Sequence, residues 1–132
     1  MFTLWALGAA LAGTVQVELR GLVADGRPVH LRLFNQEDAF PSPTRAVRTV
    51  STTATATTLT VDLGELAPGR WAVSVHHDQD SDGELDFRWL PPGPAEGTSA
   101  SCTSRPLAIP AWDSCSVQVG AAAQTLRLVM WY

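Results

Sequence analysis

The chain has 132 residues, of which 45% are hydrophobic and 17% are charged. This length and composition predict one globular domain with its own hydrophobic core, and they exclude a disordered, collagen-like or coiled-coil chain. The formal net charge is −4 and the basic residues form no cluster. The charge therefore argues against a protein that binds nucleic acid or an anionic membrane surface.

The N-terminal segment is almost wholly apolar from Phe2 to Gly13, and it contains Ala10-Leu11-Ala12, a small-x-small pattern typical of signal-peptide cleavage. We predict a signal peptide over residues 1–12 and a single mature domain over residues 13–132. Because no Lys or Arg precedes the apolar run, we expect the signal peptide to be incomplete at its start. The alternative is a buried first strand, since short apolar runs fit either structure. The run is shorter than the roughly 20 residues of a membrane span, so no transmembrane segment is expected.

Alternation of apolar and polar residues recurs along the chain, and no window of twelve residues has a helical stripe. Turn residues such as Asp25-Gly26 and Pro68-Gly69 separate the alternating segments. About seven short strands with this spacing predict an all-β fold, specifically an antiparallel β-sandwich. The candidate strands are 15–20, 29–33, the β-prone stretch 47–60, 59–63, 71–75, 117–119 and 126–130.

The segment from Leu90 to Ser116 interrupts this alternation with five prolines. It is longer than the structureless connections of compact domains, so we expect one long loop that is pinned to the domain. The candidate contacts are a disulfide between Cys102 and Cys115, the Trp112 side chain, and an approach of Glu96 to an acidic loop near residue 80. The disulfide depends on export to an oxidising compartment, and the alternative is two unpaired thiols.

The acidic loop follows the strand at Trp71 and holds five of the 13 carboxylates of the chain within nine residues. Carboxylates at alternate positions of a tight loop converge on one point, and a glycine at the sixth position permits the sharp turn. A set of hard oxygen ligands of this size suits Ca²⁺ better than Mg²⁺, Zn²⁺ or copper. The predicted Ca²⁺ ligands are the side chains of Asp78, Asp80, Asp82 and Asp86 and the backbone carbonyl of Glu84.

This loop differs from an EF-hand because Trp89 stands at the twelfth position, where a bidentate Glu belongs, and because residues 71–77 fit a strand. With one ligand missing, the dissociation constant should lie at about 10⁻⁴ to 10⁻³ M unless Glu96 completes the coordination. His77 is a further candidate ligand. The alternative is a solvated acidic turn that binds no ion. Carboxylates about 4 Å apart repel by ~1 kcal/mol in water and ~4 kcal/mol at an effective dielectric of 20, which favours a bound cation.

The residues around this loop resemble an uncharacterised bacterial family catalogued as domain of unknown function 2141. The matching segments are the run from Leu66 to Asp86, Pro94-Ala95-Glu96-Gly97 and Trp112-Asp113. Trp71 stands where the family usually has Tyr, Asp80 and Asp82 stand where Asn is usual, and the cysteine pair is not part of the family pattern. The resemblance implies an exported β-sandwich of prealbumin-like or immunoglobulin-like type, and it implies no activity.

The histidines favour structural roles. His76 and His77 are neighbours on a strand, so their side chains should point to opposite faces. We expect the His77 ring to pack beneath the loop and to hydrogen-bond to the loop backbone, and we expect His30 to lie on the surface. A role for His77 and Asp78 as the acid and base of a small hydrolase is the less favoured interpretation.

These features predict an exported, non-catalytic protein with a structural Ca²⁺ loop, acting in binding or scaffolding in the cell envelope or outside the cell. The main alternative is a Ca²⁺-assisted module that binds carbohydrate or peptide near Trp89 and Glu96. The expected partner is a protein or carbohydrate ligand, and not a nucleic acid. The sequence contains no G-x-S-x-G elbow, P-loop or H-E-x-x-H motif, so an enzyme is not the first expectation.

Overall fold

The structure is a computed structural model that describes residues 12–81, 87–89, 92–94, 96–102 and 111–132. These residues contain a 3-10 turn at Pro43–Arg45 and a single-turn helix, α1, at Trp112–Cys115. None of their helices is long and apolar enough to cross a membrane. Residues 1–11 of the predicted signal peptide lie outside the described residues. The strands are β1 (Gly13–Arg20), β2 (Pro28–Phe34), β3 (Arg48–Thr53), β4 (Thr58–Leu66), β5 (Gly69–His77), β6 (Phe87–Trp89), β7 (Pro92–Pro94), β8 (Gly97–Ala100), β9 (Val117–Val119) and β10 (Gln124–Val129).

Eight of these strands form two sheets, which confirms the prediction of an all-β sandwich. The smaller sheet has the order β10-β1-β4, and the larger has the order β3-β2-β5-β8. Strand β9 is the fifth strand of the larger sheet and pairs with the first residues of β5. Strands β6 and β7 pair with each other in a separate two-stranded sheet. Among the described strands the pairing is antiparallel except between β1 and β10, which run parallel from Val15 opposite Gln124 to Arg20 opposite Val129.

The main core consists of the apolar residues that alternate along the strands. In β2, Val29, Leu31 and Leu33 are fully buried. Strands β1 and β5 contribute alternating apolar residues to the same core. Trp71 is part of this core, and its indole N–H donates to the carbonyl of Ala67 at 2.9 Å. Full burial of each large apolar side chain contributes roughly 1.5–3 kcal/mol to the free energy of folding. The alternation that predicts the strands therefore also stabilises the sandwich.

A smaller apolar cluster covers part of the outer face of the larger sheet. Phe34 and Ala72, which pair across β2 and β5, lie in this cluster with Phe40 and the partly buried Trp112. The Phe40 ring contacts Phe34 and Trp112 edge-on, with centroids 5.2 and 6.0 Å apart. A disulfide between Cys102 and Cys115 joins the segment after β8 to α1. The cysteine pair and Trp112 therefore pin the long segment as predicted.

Two of the short strands, β7 and β8, lie inside the segment that the sequence pattern predicts as one loop. Their sequences, Pro-Gly-Pro and Gly-Thr-Ser-Ala, contain no alternating apolar run. Strand β8 forms because its backbone pairs with β5, from Ser74 opposite Ala100 to His77 opposite Gly97. This pairing brings Glu96, the residue before β8, to the end of β5.

Candidate metal centre

The end of β5 presents its side chains to two different faces of the sheet. His76 follows Ala72 and Ser74 on the outer face, whereas His77 follows Val73 and Val75 on the core face. The strand ends at Asp78, whose backbone N–H donates to the carbonyl of Pro28 at 2.8 Å. This bond ties the first residue of the acidic loop to β2.

Three side chains meet on the outer face at this end of the sheet: those of His76, Asp78 and Glu96. Each offers a ligand atom, and these atoms all lie within 4.8 Å of one another. The His76 Nε2 atom is 2.8 Å from Glu96 Oε1. All three side chains are buried, with 3%, 2% and 5% exposure. Atoms that share one metal ion at about 2.0–2.2 Å are themselves separated by at most about 4 Å, so the cluster is close to the spacing that metal binding requires.

His30 contacts this cluster from β2, where it pairs with His76 across the strands. Its Nε2 atom is 3.3 Å from Asp78 Oδ2, and its Nδ1 atom is 2.9 Å from Ser51 Oγ. The His30 side chain is 19% exposed and contacts both Asp78 and Ser51, so its surface position is partly covered. Burial lowers the pKa of Arg32, two residues along β2, and the negative charge of Asp78 partly offsets this effect.

The start of the acidic loop is held by hydrogen bonds to other parts of the chain. The Asp80 N–H donates to Glu96 Oε2 at 3.2 Å, which confirms the predicted approach of Glu96 to this loop. The Gln79 amide donates to Asp25 Oδ2 at 3.4 Å and accepts the N–H of Gly97 at 3.2 Å. The loop therefore starts from a fixed base between β2, β5 and β8.

The structure describes only part of the predicted ligand set. Asp78 is buried at the base of the loop beside Glu96, whereas Asp80 is exposed. His76 is a member of the cluster that is not among the ligands predicted from the sequence. Its position two residues before Asp78 on a strand is the signal that could have found it, because residues two apart on a strand share a face. The predicted ligands outside the described residues are Asp82, Glu84 and Asp86.

His77 belongs to a different network on the core face. Its ring is fully buried, with Nε2 2.8 Å from Asp25 Oδ1 and Nδ1 2.8 Å from the Tyr132 hydroxyl. The Tyr132 oxygen also accepts the N–H of Val23 at 3.0 Å. With its proton on Nε2, the ring donates to Asp25 and accepts from Tyr132. His77 therefore bonds to the side chains of Asp25 and Tyr132 instead of the expected loop backbone. Asp78 has different partners, because it contacts the His76 cluster and His30 on the other face.

This network shifts the pKa of both acidic partners of His77. Burial raises the pKa of Asp25, but the N–H of Arg27 and the His77 ring lower it more, so that it falls below its usual 3.8. The pKa of Tyr132 lies above its usual 10.0. Burial and the negative charge of Asp25 raise this pKa, and the hydrogen bond from the Val23 N–H offsets part of the increase. Near neutral pH the network therefore holds an ionised Asp25 and a neutral Tyr132.

The chain belongs to the bacterial family DUF2141, described as an uncharacterized protein conserved in bacteria, whose family model matches residues 17–127. The match extends from within β1 into β10 and includes the candidate metal centre. No curated protein and no solved structure matches the chain. The family resemblance found in the sequence is confirmed. Because the family description gives no function, a function has to be proposed from the chemistry of the site.

Proposed function

We propose that this protein is an exported, non-catalytic β-sandwich whose acidic loop, residues 78–86, binds Ca²⁺ as a structural ion. The observation that carries the proposal is the position of Glu96 at the base of the loop. Its carboxylate is buried beside Asp78 and accepts the Asp80 N–H. Glu96 can therefore supply the oxygen ligand that the loop lacks relative to an EF-hand.

The proposed ion would join parts of the chain that are far apart in sequence. Asp78 ends β5 and Glu96 precedes β8, so a cation held by both would cross-link the two strands and fix the loop between them. A cation would also reduce the repulsion between two buried carboxylates. The opposite orientation of His77 and Asp78 supports a non-catalytic role, since an acid and base pair has to act on one substrate.

Export has two lines of support. The disulfide between Cys102 and Cys115 is typical of proteins in oxidising compartments. The apolar segment 1–12 with its small-x-small pattern is typical of a signal peptide. We infer a role in binding or scaffolding in the cell envelope or outside the cell, with a protein or carbohydrate as partner. The prealbumin-like or immunoglobulin-like type of sandwich belongs to the same proposal.

Calcium is expected to raise the melting temperature of the chelator-treated protein. Binding to the folded state alone stabilises it by RT ln(1 + [L]/Kd), about 2.7 kcal/mol when free Ca²⁺ is one hundred times Kd. The same concentration of Mg²⁺ should have a much smaller effect, because Mg²⁺ demands a stricter geometry. Asp80→Ala should abolish the Ca²⁺ effect, because it removes one of the predicted carboxylate ligands. Thermal unfolding and titration calorimetry measure both effects.

Asp38→Ala is the matched control, because Asp38 is an exposed carboxylate whose salt bridge to Arg45 is also exposed. This variant should keep the full Ca²⁺ response. The proposal fails if the wild-type protein shows neither heat nor a thermal shift at about 10 mM Ca²⁺, which is roughly ten times the weakest expected dissociation constant.

A further inference from the structure

We propose that His76, Asp78 and Glu96 form a binding site for a first-row transition-metal ion of the Zn²⁺ type. One donor of this cluster is an imidazole nitrogen and the other two are carboxylate oxygens. Imidazole suits zinc, copper, iron and nickel, whereas Ca²⁺ takes oxygen ligands. This site therefore has a different chemistry from the Ca²⁺ loop, although both would use Asp78 and Glu96. The inference does not require that Ca²⁺ binds.

Burial distinguishes this cluster from an ordinary group of surface acids. No more than 5% of any of the three residues is exposed, and two elements that are 18 residues apart, at Asp78 and Glu96, bring them together. A buried carboxylate is stable when hydrogen bonds or a cation compensate its charge. A divalent ion between the three side chains would supply positive charge to both carboxylates at once.

The His76 ring presents one nitrogen to the cluster and leaves the other nitrogen buried. Its Nε2 atom is bonded to Glu96 Oε1, whereas its buried Nδ1 atom has no hydrogen-bond partner within the described part of the chain. Because Nε2 is the nitrogen that faces Glu96, Nε2 is the atom that would bind an ion shared by the three side chains. An imidazole that binds a metal ion uses one nitrogen and keeps a proton on the other.

His30 acts as a positioning residue for this site. It holds the Asp78 carboxylate through Nε2 at 3.3 Å, and Ser51 fixes the opposite side of its ring at 2.9 Å. Side chains that hydrogen-bond to a metal ligand, without binding the metal ion themselves, orient the ligand atoms. Three protein donors also leave one position of a four-coordinate ion for water or another ligand, as in open zinc sites.

The test is a titration of the chelator-treated full chain with Zn²⁺ by calorimetry, repeated with Co²⁺ by visible absorption. We expect one bound ion per chain. His76→Asn removes the imidazole, and Glu96→Gln removes a carboxylate; each should weaken Zn²⁺ binding at least tenfold. Asp38→Ala should bind Zn²⁺ as the wild type does. His76→Asn should keep the Ca²⁺ response, and Asp80→Ala should keep Zn²⁺ binding, so the two proposals are tested separately.

The proposal is overturned if the wild type does not bind Zn²⁺, or if His76→Asn and Glu96→Gln bind it with unchanged affinity. If His76→Asn does not fold, imidazole nitrogen NMR of the wild type decides the question. A Zn²⁺-dependent shift of the His76 nitrogens supports the site, whereas shifts confined to His30 and His77 overturn it. Loss of Ca²⁺ binding alone would refute only the Ca²⁺ proposal.

Discussion

Asp25 links folding to pH. It accepts the Arg27 N–H at 3.0 Å and contacts the fully buried His77 ring at 2.8 Å, and its pKa lies below the usual 3.8. Because the folded-state pKa is lower than the unfolded-state value, the ionised carboxylate favours the folded state. This contribution is fully present above the unfolded pKa and is lost as the pH falls through the folded pKa.

Asp25→Asn is expected to lower the free energy of unfolding at pH 7 by about 1 kcal/mol, because the amide keeps only part of the hydrogen bonding of the charged group. The difference from the wild type should shrink as the pH falls below the unfolded-state pKa of about 3.8, and it should be lost below the folded-state pKa, where the wild-type carboxylate is also neutral. Urea unfolding across this pH range measures the difference. Asp38→Asn, at an exposed position, should stay within about 0.5 kcal/mol of the wild type. A pH-independent loss in Asp25→Asn would contradict the argument.

Local patterns predict the face on which a side chain lies, but not its distant partner. The alternation along β5 correctly places His76 and His77 on opposite faces. In contrast, the partners of His77 are 52 and 55 residues away, at Asp25 and Tyr132. No sequence signal relates either position to His77, so only the tertiary fold identifies the network. The contact of Glu96 with the loop could be predicted because a missing Ca²⁺ ligand required a distant carboxylate.

Strand β8 shows how a strand without a sequence pattern positions a site. Its backbone pairs with β5 on one edge, and Thr98 exchanges two hydrogen bonds of 2.8 Å with Trp131 on the other. Alternating strands such as β1, β2 and β5 bury their own apolar residues and can be predicted from sequence. Strand β8 depends on its neighbours, which is why a sequence reading leaves it inside a loop.

Gly97→Ala is expected to destabilise the protein by about 1–3 kcal/mol, because a Cβ at this position of β8 would collide with the Tyr132 ring. The penalty should be much smaller in a Tyr132→Ala background, where the ring is absent. Gly120→Ala is the matched control, since a Cβ there meets no atom within 4 Å. Urea unfolding of the single and double variants gives the coupling. An equal cost of Gly97→Ala in both backgrounds would exclude the ring as the cause.

The sandwich follows from the repeated alternation of apolar and polar residues, whereas the pairing of its strands does not. The apolar residues of β1, β2 and β5 form one core as their period of two predicts. The parallel pairing of β1 with β10 joins segments more than 100 residues apart, and no local signal distinguishes it from an antiparallel pair. The type of sandwich, prealbumin-like or immunoglobulin-like, stays a prediction for the same reason.

Reduction of the Cys102–Cys115 disulfide is expected to lower the stability of the whole domain by about 3 kcal/mol, because the bond closes a loop of about 14 residues and restricts the unfolded chain. The two cysteines are 13 positions apart and lie in the outer cluster beside Trp112. The main core between the sheets contains neither cysteine, so the reduced protein should keep its β-sheet circular dichroism while its melting temperature falls.

The matched control for this prediction is the double variant Cys102→Ala/Cys115→Ala, which should melt near the reduced wild type and be insensitive to reductant. Its small apolar side chains keep part of the packing in the outer cluster, so the comparison isolates the cross-link from the loss of volume. Thermal unfolding with and without reductant, together with alkylation of the native unreduced protein, completes the test. Equal melting temperatures of the oxidised and reduced wild type would show that the bond does not stabilise the domain. Rapid alkylation of both cysteines before reduction would show that they are not bonded.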